Sequence, residues 1–165
     1  LPKFQWGLNN NFQYKNFEIN IFIQGVYGNK ILNATYAAAA QPSSDVRYIT
    51  LAEAGNYWTA QNTGSIWTDP TSKTNRNFVE STKYLMDGSY VRVKNASLSY
   101  TIPDRIFKYA RLKLSASAQN WITFTKYKGF DPEASSTGSS DINNGIDLGA
   151  WPSPKTLTFG INATF

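Results

Sequence analysis

The stretch "KTLTFGINATF", residues 155–165, decides the fold. From Leu157, every second residue is apolar: Leu157, Phe159, Ile161, Ala163 and Phe165. The residues between them are Thr156, Thr158, Gly160, Asn162 and Thr164, none with a large apolar side chain. A period of two describes a strand with one greasy face and one wet face. Such a strand belongs to a soluble β-sandwich, with its apolar face in a core, or to a transmembrane barrel, with that face in lipid.

Four more segments carry the same period. In residues 4–14, "FQWGLNNNFQY", Phe4, Trp6, Leu8, Phe12 and Tyr14 share a face, with Asn10 the exception. After the two-residue link Lys15-Asn16, residues 17–28 resume with Phe17, Ile19, Ile21, Ile23 and Tyr27 on one face, as in a hairpin. Glu18, Asn20 and Gln24 lie opposite, where Phe22 and Val26 intrude. In residues 88–102, Ala96, Leu98 and Tyr100 oppose Ser97, Ser99 and Thr101, but Arg92 and Lys94 fall on the apolar side. Either a bulge flips the phase there, or that end projects beyond the apolar zone. Pro103, which has no N–H for a ladder, stops this strand. In residues 111–124, Leu112, Leu114, Ala116, Ala118, Ile122 and Phe124 oppose Arg111, Lys113, Ser115, Ser117 and Gln119.

The connections are short, long, short and long: 15–16, 29–87, 103–110 and 125–154. In an antiparallel order both long ones fall at one end of the sheet. Outer-membrane barrels have this asymmetry, with short periplasmic turns and long extracellular loops. With Phe165 at the periplasmic end, 29–87 and 125–154 are the extracellular loops. Tyr14, Phe17, Tyr100 and Phe165 then mark the periplasmic rim, and Phe4, Trp6, Tyr27 and Phe124 the outer one. Within 29–87 one short helix is expected, Val46–Ala54, closed by Gly55.

Composition narrows the chemistry. The 165 residues contain no Cys and no His, which removes disulfides, thiolate metal sites and the usual general base. No leader-like start is visible at Leu1, and no apolar run is long enough for a membrane helix. The formal charge of +5 has no compact basic patch, so a nucleic-acid partner is not expected. Residues 29–87 are neutral, with five basic and five acidic side chains. No catalytic constellation appears, and the chain is read as a non-enzyme without cofactor. Asp131 and Glu133, in "GFDPE", read as turn acids; two carboxylates are too few to assign a calcium site.

Three segments carry a family resemblance: "DGSYVRVKNASLSYTIP" (87–103), "RLKLSASAQNWITFTKYKGFDPE" (111–133) and "SPKTLTFGINATF" (153–165). In this order they resemble the C-terminal end of SusC/RagA-type TonB-dependent transporters of Bacteroidota outer membranes. Residues 1–33 resemble the preceding hairpin. The resemblance implies an all-β, antiparallel transmembrane barrel of about 22 strands, of which this chain supplies the last five. A plug and the rest of the barrel would be supplied by sequence N-terminal to it.

The resemblance also implies a function and partners. The function is TonB-dependent import of oligosaccharides or peptides. The partners are a SusD-like surface lipoprotein, TonB–ExbB–ExbD through the N-terminal region, and the barrel-assembly machinery reading Phe165. Among the loop aromatics, Tyr48, Tyr57, Trp58, Trp67 and Trp151 are candidate substrate or partner contacts, since flat rings pack on sugars and peptides; packing between loops is the plainer role. By strand parity Arg111, Lys113 and Gln119 face the lumen. Lys30, Arg47, Arg92 and Lys94 are candidates for lipopolysaccharide phosphate, or are simply solvated. The alternative is a soluble all-β glycan-binding module that uses the same aromatics but folds its sheets around a core.

Overall fold

In the structure, a computed structural model, the residues described are 1–40, 56–69, 81–103, 106, 110–133 and 145–165. The expected helix over 46–54, with Arg47 and Tyr48, lies outside them. In chain order the elements are β1 (Phe4–Tyr14), β2 (Phe17–Tyr27), β3 (Lys30–Asn33), α1 (Ala34–Ala40), a 3₁₀ turn (Thr82–Tyr84), β4 (Leu85–Asp87), β5 (Tyr90–Thr101), β6 (Arg111–Thr125), β7 (Ile146–Asp147) and β8 (Thr156–Thr164).

The chain divides into two compact units. The first comprises Leu1–Asn29, Gly88–Tyr127 and Pro152–Phe165, and holds one five-stranded sheet in the order β1-β2-β5-β6-β8. Every neighbouring pair is antiparallel. The β1–β2 ladder is unbroken from Tyr14↔Phe17 to Phe4↔Tyr27, and Lys15, at φ 51°, makes the tight turn. This register puts the apolar residues of each strand opposite those of its neighbour: Leu8↔Ile23, Ile19↔Leu98, Leu98↔Ala116 and Ala116↔Phe159. A slip of one residue would turn the whole apolar set of the slipped strand to the wrong face, so the two-residue period fixes the pairing.

The irregular phase of β5 is a bulge. Ile21 and Ile23 pair with Ala96 and Val93, two steps against three, so β5 holds an extra residue at Lys94. Opposite, Ala118 and Ile122 pair with Ala96 and Val93, and β6 holds a further residue. There Asn120 adopts φ 57°, the left-handed region that Asn tolerates better than most residues. The bulge returns Val91 and Val93 to the apolar face and sends Arg92 to the polar one, opposite Gln24 and Thr123.

The second unit, Lys30–Asp87 with Lys128–Trp151, has a small sheet of order β4-β3-β7, in which β3–β4 is antiparallel and β3–β7 parallel. Its core is Trp67 against Tyr84, ring centroids 6.3 Å apart, flanked by Leu32, Tyr36, Ala37 and Tyr57. Helix α1 was not anticipated. Its start is an ordinary cap: Asn33 Oδ1 accepts from Tyr36 N at 2.7 Å, ahead of an alanine-rich run. Two parallel partners, Asn33 and Asp147, are the most buried side chains of this unit. Asp147 Oδ1 accepts from Gly149 N and Ala150 N, which fixes the turn after β7.

Candidate functional site

The functional surface is the sheet itself, with two chemically opposite faces. On one face the apolar residues of all five strands form a continuous field, and it is uncovered: Leu157, Phe159 and Ile161 are 54%, 78% and 78% exposed. Leu8, Phe12, Ile19, Leu98 and Leu114 on the other strands are exposed as well. A sandwich would bury such a face under a second layer; no layer made by the described residues covers it. Exposed apolar fields of this extent signal an interface with protein or lipid. Aromatic pairs stand at the two ends of the field. Phe4 meets Tyr27 at 5.3 Å, and Phe17 meets Tyr100 at 4.6 Å between centroids. Trp6 lies across Gly25, its register partner; a Cβ built on Gly25 would come within 2.2 Å of the indole.

The opposite face is polar and cross-linked in rows. Asn20 Nδ2 donates to Asn9 Oδ1 at 3.1 Å and to Asn11 Oδ1, and Asn95 Nδ2 donates to Asn20 Oδ1 at 3.4 Å. These amides tie β1, β2 and β5 together on one side. The next rows carry small residues: Ser97↔Ser117↔Thr158 and Ser99↔Ser115↔Gly160. Lys113 Nζ reaches across Ser99 to Glu18 Oε2, 2.5 Å away. Both partners are about half exposed, so the pair is worth at most about 1 kcal/mol. Sequence reading missed the amide network. The parity of Asn9, Asn11 and Asn20 was visible, but register alone shows that they meet Asn95.

The expected lumen residues Arg111, Lys113 and Gln119 all have polar-face partners, Thr164, Asn162 and Thr156. Arg92 departs from its expected place. It is 4% exposed and its Nε donates to Thr123 Oγ1 at 2.8 Å, so it is a buried polar-face residue and not a headgroup contact. The bulge at Lys94 is the cause. Lys30 is exposed.

The loop aromatics separate by burial. Trp67 is 4% exposed, and its faces are taken by Tyr84 and by Lys83, whose Nζ lies 4.0 Å from the ring centroid. Tyr57 packs against the same core. Trp58 and Trp151, 47% and 95% exposed, keep open faces. Lys83 Nζ also donates to Ile66 O, and burial lowers its pKa from the ordinary 10.5. Asp131 is buried, where a solvated turn acid was expected, and accepts from Glu133 N at 2.9 Å. Among the described residues no three metal-capable side chains gather. No described helix is long and apolar enough to cross a membrane, which has no bearing on strands.

A meander of long antiparallel strands, greasy on one face and polar on the other, defines the class: a wall segment of a transmembrane-type β-barrel. Comparison with known proteins makes this more specific. The chain is 36% identical over 171 residues to TonB-dependent receptor P3 of Formosa agariphila, a match that covers 99% of this chain and 16% of that protein. It is 29% identical over 180 residues to TonB-dependent receptor P26 of the same organism, covering 100% of this chain and 17% of that one. The chain thus spans about a sixth of the length of these curated relatives. Among solved structures, it superposes on the RagAB peptide importer in its open-open state with a TM-score of 0.83 at 22% identity, covering 100% of this chain and 17% of that chain. The closed-closed state gives 0.81. No family model matches. In sequence the chain is similar to a segment of TonB-dependent receptors, and in fold it matches a segment of the RagAB importer.

Proposed function

We propose that this segment is the C-terminal part of the barrel wall of an outer-membrane importer for oligosaccharides or peptides. The observation that carries the reading is the uncovered apolar field across five strands, backed by a polar face. Lipid covers the first face and the lumen wets the second, so Arg111, Lys113, Gln119 and the Asn9–Asn11–Asn20–Asn95 network line the transport path. Residues 29–87 and 125–154 are extracellular. Trp58 and Trp151 are the aromatics available to substrate or to a SusD-like lipoprotein; Trp67 and Tyr57 belong to the small core within 29–87.

Import needs energy, which TonB–ExbB–ExbD would deliver through a part of the polypeptide outside this segment. What this chain does is mechanical and electrostatic. It holds the wall, presents hydrogen-bonding side chains inward, and anchors the outer loops. The superposition on a peptide importer supports the fold of this reading, and the identity to TonB-dependent receptors supports the import.

The test uses the full-length polypeptide that carries this segment. An epitope inserted at Gly64, whose Cα faces open space, should bind antibody on intact cells. Labelling that requires a permeabilised outer membrane would reverse the orientation, and absence from the outer-membrane fraction would end the reading.

A further inference from the structure

We propose that a cleft across the short-turn end of the sheet binds the phosphate of an anionic glycerophospholipid, with Arg111 and Lys15 as its cations and the adjoining apolar surface as the seat of an acyl chain. The cleft has a volume of about 400 Å³, within the range of small-ligand pockets. Residues from both faces meet in it: Phe17 and Ile102 from the apolar side, and Gln13, Glu18, Thr101 and Arg111 from the polar side. It thus lies at the boundary between the two faces. A ligand charged at one end and greasy at the other matches such a boundary; a solute confined to the polar side would leave Phe17 and Ile102 unused.

The walls are fixed before a ligand arrives. Asn16 Nδ2 donates to Thr101 O at 2.8 Å, and Thr101 N donates to Asn16 O at 2.9 Å. These bonds strap the β1–β2 turn to the end of β5. Ile102 N donates to Leu112 O at 2.9 Å, which ties β5 to β6 at the same end. Lys15, in the turn, holds its Nζ 5.4 Å from the ring centroid of Tyr14, a member of the apolar set. Arg111 stands in the last row of the polar face, opposite Thr164. The two cations therefore approach the cleft from opposite faces.

Charge selects the ligand. Glu18 is engaged by Lys113, and among the described residues no carboxylate pairs with Arg111 or Lys15. The link 103–110 adds Asp104 against Arg105 and Lys108, so its own sequence does not reverse the sign. Two cations without a free carboxylate suit an anion better than a zwitterion, whose ammonium would find no partner. A guanidinium presents a planar fork that a phosphate meets with two parallel hydrogen bonds. The greasy part of the ligand has a path as well. From Phe17, beside Tyr100, the exposed apolar surface continues through the register pair Ile19↔Leu98. The inference rests on the proposed reading in one respect, that lipid covers the apolar face. The short-turn end then stands in the periplasmic leaflet, which is built of glycerophospholipids.

The experiment uses the full-length polypeptide that carries this segment, inserted in phosphatidylcholine vesicles doped with a phosphatidylglycerol that bears a diazirine on its acyl chain, next to the glycerol. Irradiation followed by peptide mass spectrometry maps the points of attachment. Adducts are expected within residues 13–18 and 101–103, which line the cleft. Their yield should be about fivefold higher than with the matching phosphatidylethanolamine probe. Arg111→Gln should lower the yield about fivefold, and Arg111→Lys, which keeps the charge without the fork, should give an intermediate yield. Heat-modifiable gel mobility shows that each variant still forms a barrel.

Equal yields for the two headgroups, adducts along the wall with none at the short-turn end, or a yield indifferent to Arg111 would each overturn the proposal. So would displacement of the probe by water-soluble glycerophosphate, which would make the cleft a site for a free phosphate. A phosphatidylcholine probe with its diazirine at the far end of the acyl chain tests the underlying reading separately, through adducts on Leu157, Phe159 and Ile161. Adducts there with none at the cleft would overturn this inference alone. None there would end the reading of a lipid-covered face, and this inference with it.

Discussion

At Gly25 a hydrogen in place of a methyl group lets an indole lie flat on a neighbouring strand. The Trp6 ring occupies the space a Cβ would need, with atoms 2.2 to 2.5 Å from that position. Gly25→Val should therefore displace Trp6 and destabilise the folded wall by about 1–3 kcal/mol, read as a lower heat-modification midpoint. Trp6→Ala should remove most of that penalty in the double variant, because the clash is between these two residues. Lys83 is a second case of chemistry set by neighbours. Desolvation holds its ammonium below the ordinary lysine pKa. The sign follows from linkage: between the lowered folded value and 10.5 the unfolded chain binds more protons, so stability rises with pH across that window and falls as pH drops through the folded value. Reductive methylation followed by NMR should show Lys83 titrating below the ordinary lysine value of 10.5. At this scale the sequence named the aromatics of the loops but could not sort them. Trp58 and Trp67 are nine residues apart in equivalent polar surroundings, yet Trp67 stacks against Tyr84 and is buried while Trp58 is not.

Among the elements, β8 shows how parity assigns chemistry. Ile161 and Thr158 sit on opposite faces of one strand, paired with Leu114 and Ser117. In the full-length barrel Ile161→Lys should cost about 2–4 kcal/mol, because the ammonium would face hydrocarbon, while Thr158→Lys should cost far less in a wet lumen. Equal penalties, measured by denaturant titration in lipid bilayers, would mean that the faces are assigned wrongly. The bulge makes the complementary point. Asn120 holds a left-handed backbone, donates through Nδ2 to Pro154 O at 3.2 Å, and adjoins Trp121, whose Nε1 donates to Thr156 O at 3.1 Å. These bonds stand where the β6–β8 ladder ends, at Gln119↔Thr156. Asn120→Gly should be tolerated and Asn120→Ile should destabilise by about 1–2 kcal/mol, since only the second is strained at positive φ. The alternation revealed that something breaks the phase of β5. It left open whether a bulge or an overhang was responsible, because the answer depends on the neighbours β2 and β6.

On the scale of the whole molecule, the sheet has two free edges and one uncovered apolar face. Among the described residues β1 pairs only with β2, and β8 only with β6. In lipid each unpaired backbone group costs several kcal/mol, and in water a long apolar edge recruits other chains. The isolated 165-residue chain should therefore aggregate in plain buffer and disperse only in detergent, as light scattering would show. A monodisperse, cooperatively folding monomer in buffer would favour the soluble glycan-binding module. The sequence alone indicated five antiparallel strands and their two faces, apart from the first half of β5, because period-two alternation and turn residues are local signals that need no partner. The tertiary structure alone decided the bulge that buries Arg92, the amide network through Asn20, the joining of β3 and β7 in one small sheet, and which tryptophan is core. Each of these depends on register between residues far apart in the chain, and local pattern carries no information about that.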